Sequence, residues 1–191
     1  MGRWDYGGTV AHQCGDFGKD QIDAWGANAR VGHTFEAPWK PRIAAEFSYA
    51  SGDSNPRDGR RETFDGVFGA IDTFYGRMNF LSWMNLEDYQ ITFGLQPTKT
   101  LKVWMDYHVF RLASDRDGWY WCNGRAARRD VTGETSPSLG QEIDVLFQWQ
   151  INKHLELFVG YCHFFPGPFI RDTPGTDRHA DWVFVQVTFQ F

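Results

Sequence analysis

The sequence contains no uninterrupted apolar run of the ~18 residues that a membrane-crossing helix needs, so no transmembrane helix is expected. That absence does not bear on strands, which cross a bilayer with about ten half-polar residues each. Cysteine is scarce: Cys14, Cys122 and Cys162 are odd in number and show neither CxxC nor CxxH spacing. They read as isolated small residues rather than a zinc site or a disulfide framework, although Cys122 and one other could pair in an oxidising compartment. Basic residues are not in excess, with 19 Lys and Arg against 24 Asp and Glu for a net charge of −5, so no nucleic-acid partner is indicated. The N-terminus MGRWDYGGTV lacks a basic segment followed by an apolar one, so it does not read as a signal peptide. It already alternates like a strand. The expectation is therefore a mature or truncated chain that begins in mid-fold.

Aromatic residues, by contrast, are abundant. They make up 17% of the 191 residues, with 9 Trp and 17 Phe, yet the mean hydropathy is −0.48. Many large rings thus share the chain with an equally large polar complement. A membrane barrel needs both classes, because its outer face meets lipid and its lumen meets water. The stretch DWVFVQVTFQF, 181–191, shows the pattern. Val183, Val185, Val187, Phe189 and Phe191 alternate with Gln186, Thr188 and Gln190 at the period of two that marks a strand with one apolar and one polar face.

Eight segments alternate in this way, near 3–14, 20–33, 42–51, 87–96, 100–112, 139–151, 154–165 and the C-terminal stretch. Each is about ten residues, the length of a tilted membrane-crossing strand. The connections alternate as well. Working back from the C-terminus they run long (166–180), short (152–153), long (113–138), short (97–99), long (52–86) and short (34–41); only the short 15–19 breaks the order. Short turns on one side and long loops on the other suit outer-membrane barrels, with the valine and phenylalanine faces toward lipid. Trp and Tyr near strand ends suit interfacial girdles.

The stretches YASGDSNPRDGRRETFDGVF (49–68), FYGRMNF (74–80), SPSLGQEIDV (136–145) and GYCHFFPGPFI (160–170) resemble the C-terminal part of the alginate export family of outer-membrane porins, from about residue 20 onward. Ending on Phe191 resembles the C-terminal signature of bacterial outer-membrane proteins. The resemblance implies a monomeric antiparallel barrel of about eighteen strands that carries an acidic polysaccharide outward through a basic lumen. The expected fold is accordingly all-β: a single antiparallel transmembrane β-barrel domain over 1–191, with about eight strands in this chain, either closing alone or forming part of the larger barrel.

On this reading the polar faces supply the lumen lining: Arg30, Arg42, Glu46, Lys102, Asp106, Glu142 and Asp144. A path selective for polyanions is lined mainly by Arg and Lys, whereas this wall is mixed with acid in excess, as an interior ladder of salt bridges also would be. Arg57, Arg60 and Arg61, and Arg125, Arg128 and Arg129, form two loop clusters. Their planar forks suit the carboxylates of a polyuronate, and equally suit lipopolysaccharide phosphates or plain solvation. Asp53 and Asp58 in the turn-rich 49–68 stretch suit Asx turns better than a calcium site. His108, His163, Ser138 and Asp106 raise a hydrolase alternative, but no G-x-S-x-G elbow is present and no enzyme is expected.

The function expected is passive export or diffusion of a solute through the bacterial outer membrane, the solute being an anionic polysaccharide such as alginate or a smaller molecule. No cofactor is implied. The partners expected are outer-membrane lipid, the solute, and any missing N-terminal strands of the same barrel. The alternative is a soluble ligand-binding β-barrel or sandwich, which would place aromatics inside and charges outside.

Overall fold

A computed structural model describes residues 2–66 and 74–191. Val67 and Phe68, which end the first of the family-like stretches, and the 67–73 part of the first long loop lie outside the described residues. The strands are β1 Arg3–Phe17, β2 Asp20–Thr34, β3 Arg42–Ala50, β4 Arg60–Arg61, β5 Leu86–Leu95, β6 Leu101–Arg111, β7 Gly118–Tyr120, β8 Ala126–Arg129, β9 Ser138–Asn152, β10 Leu155–Pro166 and β11 Ala180–Phe189. One short helix, α1 Pro168–Asp172, follows β10. The fold is all-β and antiparallel apart from the two-residue β4, with eleven strands among the described residues in place of about eight. The additions are short: β4 lies in the first long loop, and β7 and β8 form a separate hairpin in the second.

The main sheet is a meander in the order β1-β2-β3-β5-β6-β9-β10-β11, with β4 added in parallel to β2 at Gln21 and Ile22. Each long strand pairs with its neighbour in sequence, so tight turns or loops make every connection. Two of them span only two residues, 18–19 and 153–154, and at the first Gly18, with φ +67°, turns β1 into β2. The expected closure into a barrel is not seen. Closing a sheet requires its two edge strands to come into bonding register, and among the described residues β1 pairs only with β2 and β11 only with β10.

The register fixes which side chains share a face. Across the sheet, Arg42 is level with Gly94, Trp104, Leu146, Gly160 and Phe184, and Asp106 with Asp144 and Cys162. The opposite face carries Ile43, Ile91, Met105, Val145 and Tyr161, all exposed. On β11, Val183, Val185 and Val187 are 65%, 65% and 63% accessible. On the other face Asp88, Asp106, His108, Glu142 and Asp144 are at most 7% accessible. Apolar side chains point out and charged ones point in, the reverse of a water-soluble sheet.

The long loops fold back over this inner face at one end of the strands. Phe64, Leu81, Trp119, Phe169 and Ile170 from the loops pack on Ala24, Leu86, Phe110, Leu139 and Phe164 from the strands, and make the apolar core. Asp117 ties the loops together. Its buried carboxylate accepts bonds from the backbone N–H of Asp53 (2.9 Å) and Gly118 (2.6 Å), the hydroxyls of Thr63 (2.5 Å) and Tyr120 (2.6 Å), and Arg129 (2.6 Å). Asn85 reinforces the closure, donating to Ser114 O and Gly118 O, both at 3.0 Å, and accepting from Ser114 N at 2.7 Å.

Removing the acceptor from so many buried donors leaves them unsatisfied, at a cost of about 2–4 kcal/mol. Asp117→Ala is expected to open 51–66 and 112–137 to protease while the strands stay protected, read by limited proteolysis with mass mapping. Alkali should act on the same closure. Burial, then the adjacent Asp117 carboxylate, pushes the Tyr120 hydroxyl up to about 12 from its ordinary 10. A group raised on folding stabilises fully below its unfolded pKa, so the contribution is intact below about pH 10 and lost as pH rises through about 12. Tyr120→Phe should remove that step from the proteolysis profile.

Candidate functional site

The inner face divides into three zones that the strand register places side by side. The first is acidic and covered. His108 on β6 sets Nδ1 3.0 Å from Asp88 Oδ2 on β5 and Nε2 3.9 Å from Asp144 Oδ2 on β9. Glu142, two residues before Asp144, is fully buried beside it. The first long loop docks here by its backbone: Met78 N–H donates to Glu142 Oε1 at 3.0 Å and Arg77 N–H to Asp144 Oδ2 at 3.2 Å. Gly76 makes the approach possible. Its φ is +82°, and a Cβ there would lie 2.6 Å from Glu142 Oε1. Asp106, level with Asp144 on the next strand, accepts from Thr92 Oγ1 (2.6 Å) and from the Trp104 indole N–H (3.1 Å).

The second zone is aromatic. Trp104 on β6 stacks on Phe158 of β10 at 5.8 Å, Phe158 meets Phe184 of β11 edge-to-face at 5.0 Å, and Phe184 lies 4.7 Å from Trp182. Gly160 leaves room for this arc, because a Cβ there would fall within 2.6 Å of the Phe184 ring. The Arg77 guanidinium sits 5.5 Å from the Phe158 ring centroid, a cation–π distance.

The third zone is basic and open, with Lys40 and Lys102 toward the short-turn end and Arg30 level with Glu46, Gln90 and His108. Arg30, Lys40 and Lys102 are exposed. Arg42 is half-buried and held two-pronged by Asp5 on β1, at 2.5 and 2.8 Å. Glu46, level with Arg30, accepts from Asn28 at 2.6 Å.

All seven lining candidates therefore project from one face, but into different settings: Asp106, Glu142 and Asp144 are covered, while Arg30 and Lys102 are open to solvent. The loop arginines separate similarly. Arg57, Arg60 and Arg125 are exposed. Arg61 lies 4.4 Å over the Phe17 ring. Arg128 donates to the carbonyls of Ile170, Thr173 and Thr176, and Arg129 to Asp117. Asp53 and Asp58 cap Asx turns by accepting from Asn55 N and Arg60 N. Among the described residues no cluster of His, Cys, Asp and Glu is arranged to hold a metal ion, and the three cysteines are free. His108 and His163 do not converge. His108 lies on the inner face, whereas His163, one residue on from Cys162, is on the other, 2.7 Å from Asp181. Asp106 bonds Trp104 and Thr92, not a histidine.

The model of the alginate export family matches residues 1–184, nearly the whole chain. The chain belongs to the alginate export family. The match begins at the first residue, earlier than the family-like stretches alone indicate. No curated protein matches the chain. Alginate export membership places it in a transport family of outer-membrane type rather than an enzyme family. No helix among the described residues is long and apolar enough to cross a membrane.

Sequence reasoning missed the aromatic arc, Arg77 and Asp117. The signal for the arc was parity. Trp104 shares its face with Lys102 and Asp106, and Phe184 with Gln186 and Thr188, so both rings belong to the polar face. Arg77 and Asp117 lie in loops, where no periodicity assigns a direction.

Gly76→Ala combines left-handed strain with the clash on Glu142, about 1–2 kcal/mol from the backbone alone. It should release the docked loop, seen as faster trypsin cleavage after Arg77 with Arg111 in β6 unaffected. An unchanged cleavage rate would contradict the docking.

Proposed function

We propose that the chain forms wall of an outer-membrane β-barrel through which an anionic polysaccharide, such as alginate, or a smaller solute moves passively. One observation carries the reading: the long strands expose valine, isoleucine and aromatic side chains on one face and bury charge on the other. Lipid accepts the first face and a hydrated lumen the second. A soluble ligand-binding barrel or sandwich would invert that order. β1, β2 and β9 are 15 residues each, more than the ~10 a tilted strand needs to cross, so they extend beyond a bilayer toward the loops.

In lipid an unpaired strand edge is prohibitively costly. The edges at β1 and β11 are therefore paired in the membrane, with each other or with further strands of the same barrel. The mechanism needs no cofactor. Solute choice follows from the lining, and here the zoning matters. The acids Asp106, Glu142 and Asp144 are buried, the last two bonded by the first long loop, so Arg30 and Lys102, with Arg42 beside them, dominate the open wall and suit an anionic solute. At the loop end, Arg57, Arg60 and Arg125 are the arginines free to meet a polyanion, while Arg61 packs on Phe17 of β1 and Arg128 and Arg129 hold the loops together.

The test is a pair of adjacent charges. Val185→Arg puts a cation on the lipid face, costing about 2–4 kcal/mol at mid-bilayer, while Gln186→Arg puts one on the lumen face at little cost. Denaturant unfolding from phosphatidylcholine vesicles, with heat-modifiable mobility as the folding readout, is expected to show that asymmetry. Equal tolerance of both, or stable folding without lipid or detergent, would overturn the reading.

A further inference from the structure

The aromatic arc is unexplained by passive conduction of ions, since large rings on a water-facing wall bring no charge. Trp104 differs from the others. It lines an open cavity of about 440 Å³ on the inner face together with Lys40, Arg42, Lys102, Thr92 and Gln148. Its ring is fixed from two sides, by the indole N–H on Asp106 at 3.1 Å and by the near-parallel Phe158, 13° between planes. Asp106 is in turn fixed by the Thr92 hydroxyl. A ring held this way loses little freedom when something lies against it.

We propose that Trp104 is the stacking platform of a sugar subsite, on which one pyranose ring of a carboxylated polysaccharide lies while Lys40 and Lys102 receive its carboxylate. This rests on the outer-membrane reading for the identity of the cargo, but the surface itself is complete within the sheet and the 35–41 connection that carries Lys40. The axial C–H groups of a pyranose present a weakly positive, apolar face that complements the negative face of an indole. Arg42 is occupied by Asp5. Lys40 and Lys102 form no salt bridge to another described residue, and both are exposed at the cavity. An ammonium on a flexible stem suits a moving chain of carboxylates better than a fixed fork, because it can release one and take the next. The subsite thus reads two properties at once, a ring face and a charge. The division of labour predicts that each can be removed without the other.

The experiment is titration calorimetry on the 191-residue chain folded in a zwitterionic, non-glycosidic detergent, with two probes: an alginate-derived hexauronate and an uncharged β-1,4-linked glucose hexamer. The proposal expects Trp104→Ala to weaken both probes by a similar factor, about five- to tenfold, and Trp104→Phe to restore most of it. Lys40→Gln with Lys102→Gln is expected to weaken only the hexauronate and to flatten its salt dependence. Hexauronate binding unchanged in Trp104→Ala would overturn the proposal and leave recognition to charge alone. So would folded chain that binds neither probe. Heat-modifiable mobility of every variant, and the Val185 and Gln186 pair, report on the membrane reading separately. A chain that inserts but ignores sugars refutes the subsite alone.

Discussion

Every element of this protein is subordinate to one constraint: the sheet is built inside out. Among the described residues, the face that carries valine, isoleucine and tyrosine has nothing packed on it, and the face that carries aspartate, glutamate and histidine is where the loops are buried. In water such a sheet would present a continuous apolar surface far larger than soluble monomers tolerate. Set in a bilayer, the same surface is solvated, and the burial of carboxylates becomes the problem the fold must solve.

The loops solve it. Glu142 and Asp144 receive backbone N–H groups from Met78 and Arg77, Asp88 receives His108, and Asp106 receives Thr92 and Trp104. Asp117 does the same work inside the loop layer, where it joins 51–66 to 112–137. Covering the acids also changes the wall's character. On the proposed reading, a lining that counts as acidic by composition leaves Arg30, Lys40 and Lys102 exposed, with the proposed Trp104 platform beside the two lysines. On that reading, the electrostatics that a solute would meet are set by the loop that covers part of the strands as much as by the strands.

How far this was legible in the sequence follows from what periodicity encodes. Alternation such as VFVQVTF fixes which residues share a face, and strand boundaries fall within a few residues of the expected ones, from Arg42–Ala50 to Ser138–Asn152. Loop-length alternation correctly put the three long loops at one end. Parity also placed all seven lining candidates on one face, but it carries no information on what covers that face, so Asp106 and Lys102 looked equivalent. The separation of Arg128 and Arg129, held within the loops, from exposed Arg57 and Arg125 was invisible for the same reason. Closure was out of reach too, because pairing of β1 and β11 depends on strands and shear rather than on any local pattern.

The most direct test of the inside-out sheet is accessibility along β11. Nitroxide labels placed singly at positions 182–188, in the chain inserted into liposomes, would be exposed in turn to oxygen, which partitions into lipid, and to a water-soluble nickel chelate. The account predicts a period of two, with Val183, Val185 and Val187 sensitive to oxygen and Phe184, Gln186 and Thr188 sensitive to the chelate or protected from both. The same phase reversed, or no alternation at all, would contradict it.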